Sequence, residues 1–257
     1  MTGFYPTAEL VPRDIFEISK GNVPGHELVT ITSTNPSLTG TSDIWDVDVP
    51  LVPPTGAETL EMVTTGADTI AGTGAQKVTM VYLDTSWNEQ TTVTDTNAGI
   101  VSITTTNFYR HQSSFVTKLG DGVSNANNID IRVAGGGAIR GRILAPVSPA
   151  KPSNTTRASH YTVPLGKTVI SVTFYADSKK GDDADVELYV TNGDDGIFTP
   201  VFPVSVYQTN NSVVLKGSRQ IPEKSDIKAV ATTAVGPVKI SFVLQMVLMD
   251  NEQVNNA

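Results

Sequence analysis

The stretch SKKGDDADVELYVTNGDDG, residues 178–196, gathers Asp182, Asp183, Asp185, Glu187, Asp194 and Asp195 around one apolar run, with Asp177 just before it. Clustered Asp and Gly is the composition of a calcium loop, and a pair of carboxylates is the machinery of glycoside hydrolysis. Each chemistry demands a geometry. Calcium takes oxygens at roughly 2.3–2.6 Å, and a glycosidase holds two carboxylates about 5–10 Å apart in one cleft. The two-residue period of a strand, applied to DADVELYV, puts Ala184, Val186, Leu188 and Val190 on a core face. Asp183, Asp185, Glu187 and Tyr189 then face solvent. The turns KKGDD and TNGDDG stand roughly 25 Å apart at about 3.3 Å per residue, too far to share one cation. The EF-hand spacing of acids is absent. Asp185 and Glu187 are neighbours on the outer face at about 7 Å, so spacing alone leaves a carboxylate pair open, with solvation as the ordinary role. Asn192-Gly193 reads as a hairpin turn, because both residues tolerate positive φ.

Other candidate chemistry is sparse. His26, His111 and His160 lie in three separate segments, none with a partner at metal-ligand spacing. No G-x-S-x-G elbow, P-loop, H-E-x-x-H or kinase signature occurs. VAGGGAIRG lacks the spacing of a phosphate cradle, and Gly135–Gly137 read as a bulge or tight loop. Trp45 and Trp87 are isolated, which suits core or interface better than a sugar platform. The absence of cysteine excludes disulfides, thiolate metal sites and a thiol nucleophile. We expect no catalytic residue, no cofactor and no metal site, hence not an enzyme.

The elements that carry these residues are strands. Charged residues are 17% of the chain, and Thr, Val, Gly, Ser and Asn are plentiful, a composition of strands and turns. In QKVTMVYLD both faces are largely apolar, which predicts a central strand. NNIDIRVAGGG alternates, with Ile129, Ile131 and Val133 inward and Asp130 and Arg132 outward. YTVPLGKTVISVTFYADS predicts a turn and a strand, and GPVKISFVLQMVLMD a long strand. PRDIFEISKGN predicts one short helix over Asp14–Ser19, ended by Gly21. The proline-rich stretches VPLVPPTG (49–56) and APVSPAKPSN (145–154) break hydrogen-bonded structure. The expected architecture is all-β: an extended N-terminal arm with its linker (1–53), then two tandem antiparallel β-sandwich or jelly-roll-like domains (54–148 and 154–257) joined by a linker (149–153). The arm holds apolar residues Phe4, Tyr5, Leu10, Ile15, Phe16, Ile18 and Trp45 without a folding period, which marks them as assembly anchors.

The balance of 18 basic and 26 acidic residues, a formal charge of −8, argues against a nucleic-acid partner. Arg140 and Arg142 in AIRGRIL are too short a basic run to change that. No apolar run approaches the roughly 20 residues of a membrane span, so no membrane partner is expected. MTGFYPTAELVPRD lacks the basic and apolar regions of a signal peptide.

Five stretches in order, SKGNVPGHELV (19–29), AGTGAQKVTMVYLDTSWNEQT (71–91), YTVPLGKTVISV (161–172), KKGDDADVELYV (179–190) and EKSDIKAVATT (223–233), resemble a family of virion structural proteins of tailed bacteriophages, common in marine short-tailed phages. The resemblance implies a homo-oligomeric particle component, assembled in the bacterial cytoplasm and located in the virion. Its partners would be the major capsid protein or other virion proteins. A capsid decoration, cement or head-fibre role docked through the arm is expected; a tail or portal-proximal collar component, or a carbohydrate-binding β-sandwich module, is the alternative.

Overall fold

A computed structural model describes residues 12–47, 50–146, 153–178, 183–206, 213–217, 220–234 and 236–254. The first described element is helix α1 (Pro12–Ser19). Proline at the first helical position loses no hydrogen bond there, so the helix starts two residues before the expected Asp14. It ends as expected: Gly21 has φ +72°, its N–H reaches the Ile18 carbonyl at 2.9 Å, and the Asn22 N–H reaches the Glu17 carbonyl at 3.0 Å. Strands β1 (His26–Leu38) and β2 (Thr41–Asp43) follow, then β3 (Glu58–Thr64), β4 (Ala75–Asp84), β5 (Glu89–Asp95), β6 (Gly99–Leu119), β7 (Ile129–Val133) and β8 (Ile139–Ile143). The chain closes with β9 (His160–Thr162), β10 (Lys167–Ser178), β11 (Ala184–Val190), β12 (Thr199–Val206), β13 (Val213–Gly217), β14 (Asp226–Thr232), β15 (Val238–Asp250) and the short helix α2 (Asn251–Val254). The protein is all-β, and its strand pairs are antiparallel.

The described residues form two compact units, divided after Ile44 and again before Ser159. The first unit, built from both ends of the chain, has a four-stranded sheet β1-β15-β10-β13 and a second sheet β12-β11-β14-β2, with β9 also on β14. Lettered B to I in chain order, with β2 and β9 as two halves of C, these sheets read B-I-D-G and C-H-E-F. That is the connectivity of a jelly roll. Val172, Phe174, Phe242, Leu244 and Met246 from one sheet meet Val186, Leu188, Ile227 and Ala229 from the other in one core. The expected register of 184–190 holds: Ala184, Val186, Leu188 and Val190 are buried, while Asp185, Glu187 and Tyr189 are not.

Strand C is interrupted. Thr41–Asp43 pairs Val230–Thr232, and His160–Thr162 pairs Asp226–Lys228. Between them Ala229 bonds both sides of the break, its carbonyl accepting from the Ile44 N–H (3.0 Å) and its N–H donating to the Ser159 carbonyl (3.1 Å). Everything from Trp45 to Ala158 is inserted at that point.

The second unit is one sheet, ordered β5-β4-β6-β3-β7-β8. The long β6 pairs β3 with its first part and β4 with its second. Asn107, at φ +47°, sits between the two parts. Beyond β8, Thr155 bridges Phe115 of β6 and Thr156 bridges Ile143 of β8, so the ladder closes on itself around Leu60, Met62, Met80, Phe108, Ile129 and Ile131. Closure removes two exposed edges.

Two expectations are corrected here. Residues 26–38 are no part of an irregular arm but a 13-residue strand paired to β15. Their period is hidden because the inward positions Ser33 and Asn35 are polar, at 2% and 4% exposure. Ser33 Oγ donates to the Ile44 carbonyl, and Asn35 Oδ1 accepts the Ser37 N–H at 3.0 Å, so neither is left unsatisfied. The two β units are also nested rather than tandem. The proline-rich stretch is pinned to the second unit: the Val52 and Pro54 carbonyls accept from Arg140 Nη1 (2.6 Å) and Arg110 Nη1 (2.7 Å). Residues 149–152 of the expected linker lie outside the described residues.

Candidate functional site

Three acids of the opening stretch, Asp185, Glu187 and Asp195, serve local structure. Asp185 Oδ1 accepts from Ser205 Oγ at 2.5 Å, and Glu187 Oε2 accepts from Tyr189 Oη at 2.5 Å. That bond to a carboxylate pushes the Tyr189 hydroxyl above its ordinary pKa range. Asp195 Oδ1 accepts the Ile197 N–H at 2.9 Å, tightening a connection that spans residues 191–198. The expected hairpin is thus present, but with a longer loop than Asn192-Gly193 alone; Gly193, at φ +65°, donates its N–H to Ser225 Oγ. Asp182 lies outside the described residues. Among the described residues no three His, Cys, Asp or Glu side chains are placed to hold a metal ion.

His26 and His160 open β1 and β9 in the first unit, and His111 lies in β6 of the second. His111 Nε2 stands 2.8 Å from Ser114 Oγ, the distance of a nucleophile and its base. Ser114 is 0% and His111 4% exposed, so no substrate reaches the pair. It acts as a buried polar link within β6.

The glycine-rich loop after β7 is an anion nest that the chain fills itself. Gly135 and Gly136, both at φ +82°, donate their N–H groups to Glu61 (3.0 and 3.2 Å), and Arg132 Nε adds a third bond at 2.7 Å. The Gly135 N–H above all, then Arg132, holds the Glu61 carboxyl below its usual pKa. Arg140 is bonded to Glu58 and Arg142 to Asp130, the latter at 2.5 and 2.8 Å. The short basic run is therefore neutralised in place.

The expected assembly anchors have different fates. Phe4, Tyr5 and Leu10 lie outside the described residues. Ile15 is half-buried and Phe16 is 55% exposed on α1, with Lys20 Nζ 3.9 Å from its ring centroid. Ile18 and Trp45 are 4% and 3% exposed, so both are core residues and are not presented to a partner. Trp87 is also buried, packed edge-on to Tyr109 at 5.0 Å between centroids.

One sheet face went unnoticed in the sequence. It is the outer face of the sheet formed by β1, β15 and β10. Thr30 and Thr32 on β1, Val243 and Gln245 on β15, and Thr173 and Tyr175 on β10 stand side by side there, opposite the buried Phe174 and Leu244. The alternating threonines of VTITSTN were its only signal.

No protein-family model matches the chain, and no curated protein does. Solved structures that align with it include the infectious bursal disease virus Gx strain, at 11% identity over 88% of this chain and 71% of that one, with a TM-score of 0.23. The VP2 subviral particle of infectious bursal disease virus aligns at 12% identity over 96% and 80%, with a TM-score of 0.24. Dimeric latent PorU from Porphyromonas gingivalis aligns at 13% identity over 88% and 24%, with a TM-score of 0.23. Scores of that size fall short of a shared fold, and the topology above is read from this chain's own strand pairing.

Proposed function

We propose that this chain is a non-enzymatic structural protein of a virus particle, that of a tailed bacteriophage, bound to the major capsid shell as a decoration, cement or head-fibre subunit. The observation that carries the reading is the topology: a jelly roll whose strand C is opened to admit a second, closed β unit. Jelly rolls recur in viral capsid proteins and lectins. An insertion at two adjacent backbone points adds a second body without disturbing the first one's core. The stretches that resemble the phage family fall on this framework: 19–29 runs from α1 into β1, 71–91 covers β4, 161–172 runs from β9 into β10, and 223–233 covers β14.

Attachment falls to the part of the chain before β1, where α1 exposes Phe16, and to the faces of the jelly roll. The inserted unit supplies a further surface to the particle. The test is an inventory of particles of the virus that encodes the chain, washed at high salt and digested for quantitative mass spectrometry. The protein should be present in a fixed ratio to the major capsid protein. Its absence from washed particles, while abundant in infected cells, would overturn the assignment.

A further inference from the structure

The edges of the two jelly-roll sheets are not protected alike. A strand edge presents a row of N–H and C=O groups, which proteins guard by short length, proline or lysine. β13 spans five residues and carries Lys216, β2 and β9 span three each, and β12 carries Pro200 and Pro203. β1 is different. It lies at the end of its sheet, is 13 residues long, and from Leu28 to Asn35 holds neither charge nor proline.

The register shows which groups lie on that edge. The Asp250 N–H donates to the Gly25 carbonyl at 2.8 Å, one step before the His26–Met249 pair. Gly25 thus turns its main chain towards β15, and by the alternation of an antiparallel ladder so do Glu27, Val29, Ile31 and Ser33. Leu28, Thr30, Thr32 and Thr34 turn theirs away from the sheet. Among the described residues no strand pairs with them on that side, and Thr30 and Thr32 are exposed. The core is open at the same place. Val29 and Ile31 face inward but are only partly buried, whereas Met246 and Leu244, opposite them on β15, are 0% exposed.

We infer that this edge pairs with the same edge of a second copy, antiparallel, about a twofold axis at Ile31. A row of main-chain donors and acceptors repeating every second residue is what an added strand satisfies. The composition of the edge selects a copy of itself. Its four outward-turned residues lie symmetrically about Ile31, so Leu28 meets Thr34, Thr30 meets Thr32, and all four are matched. Threonine opposite threonine is a favourable cross-strand pair. Glu27, the one acid of β1, meets Asn35 rather than another acid, which matters between copies of formal charge −8. On the inner side Ile31 meets the second copy's Ile31, extending the core over side chains that one copy leaves half-covered. Main-chain hydrogen bonds rather than buried area hold this contact, so the pair forms and separates reversibly. The inference concerns the purified chain and is independent of the particle assignment.

The chain has no cysteine, so introduced thiols report the register without interference. Thr30→Cys and Thr32→Cys, purified separately, are oxidised alone and as a mixture. Across the paired edge, Thr30 and the second copy's Thr32 have Cα atoms about 5.5 Å apart, within disulfide reach. Residues of the same number lie diagonally, at about 7–8 Å. The mixture should therefore give a disulfide heterodimer several-fold faster than either variant alone gives its homodimer. Thr34→Pro, added to both variants, removes an outward-turned N–H and leaves the ladder to β15 intact. It should abolish the preference with unchanged circular dichroism. Leu28→Pro, at another outward-turned position, repeats the test if Thr34→Pro fails to fold. Homodimers that form as fast as the heterodimer, a mixture that forms no dimer, or a preference that survives the proline in folded protein would each overturn the pairing.

Discussion

Ser159 donates its backbone N–H to the Ile44 carbonyl at 3.1 Å, so the two cut ends of strand C are hydrogen-bonded to each other as well as to Ala229. The next residues outward, Trp45 and Ala158, form an antiparallel bridge. The insertion therefore leaves and returns as a pair of adjacent strands, in the manner of a long hairpin.

Excision should follow from that closeness. Replacing residues 45–158 by two glycines should give a chain that folds as the jelly roll alone, because a short connection closes with less entropy loss than a long one. One cooperative thermal transition and a β circular dichroism spectrum are expected. A chain beginning at residue 54, in contrast, lacks β1 and β2 together with Leu38 and Ile44, both 0% exposed. It should fail to fold. A soluble, cooperative product from the second chain, and none from the first, would reverse the assignment of β1 to the core.

The strand at 184–190 permits a sharper comparison. Leu188 is 0% exposed, so Leu188→Asp places an unpaired charge in the jelly-roll core, at a cost of several kcal/mol against a total stability of about 5–15 kcal/mol. It should yield insoluble or unfolded protein. Glu187→Lys, one residue away on the outer face, loses only the bond to Tyr189 and should melt within a few degrees of wild type. Similar melting of the two variants would contradict the register.

These strands show what was legible and what was not. Where inward residues are apolar, as at Ala184, Val186, Leu188 and Val190 or at Ile129 and Ile131, the two-residue period is visible and the register follows. Where inward residues are polar and satisfied by the backbone, as at Ser33 and Asn35, the period vanishes and a core strand reads as an arm. The nesting of the units was beyond local reading for another reason. Ile44 and Ser159 meet only in three dimensions, and prolines at 50 and 146 suggest linkers whether the connected bodies are tandem or nested. The shared face of Thr30, Thr32, Val243, Gln245, Thr173 and Tyr175 needed the cross-strand register, since each strand contributes only two of the six.

Asp68 governs the loops of the second unit. It is 0% exposed and accepts three backbone N–H groups, from Ala75 and Ala126 at 2.8 Å and Asn127 at 2.7 Å. One carboxylate thus ties the start of β4 to the connection before β7. Asp68→Ala leaves three buried donors without an acceptor, each worth about 1–3 kcal/mol. The second unit should unfold at markedly lower urea in the variant, while the jelly-roll transition stays in place. A single unchanged transition would show that water replaces the carboxylate without loss.

Asp46 should make stability depend on pH. It sits just beyond the point where the chain leaves the jelly roll, with both carboxylate oxygens buried and without a hydrogen-bond partner among the described residues. Desolvation raises its pKa from 3.8 to about 7, against the opposing pull of Arg157 and Arg142. Arg142 is already bonded through two nitrogens to Asp130, which weakens its help. Between those two pKa values the folded chain holds a proton that the unfolded chain has released. Stability from this group is therefore complete below about pH 4, falls as pH rises towards 7, and levels off above. Asp46→Asn keeps the shape and removes the titration. The variant should match wild type in melting temperature near pH 4 and exceed it at pH 8, with the gap opening between. Other titrating groups act equally on both proteins, so the difference between the two melting curves isolates Asp46. Parallel curves across that range would mean that the ionised carboxylate finds a compensating partner in the folded chain, and Arg157 would be the first to replace.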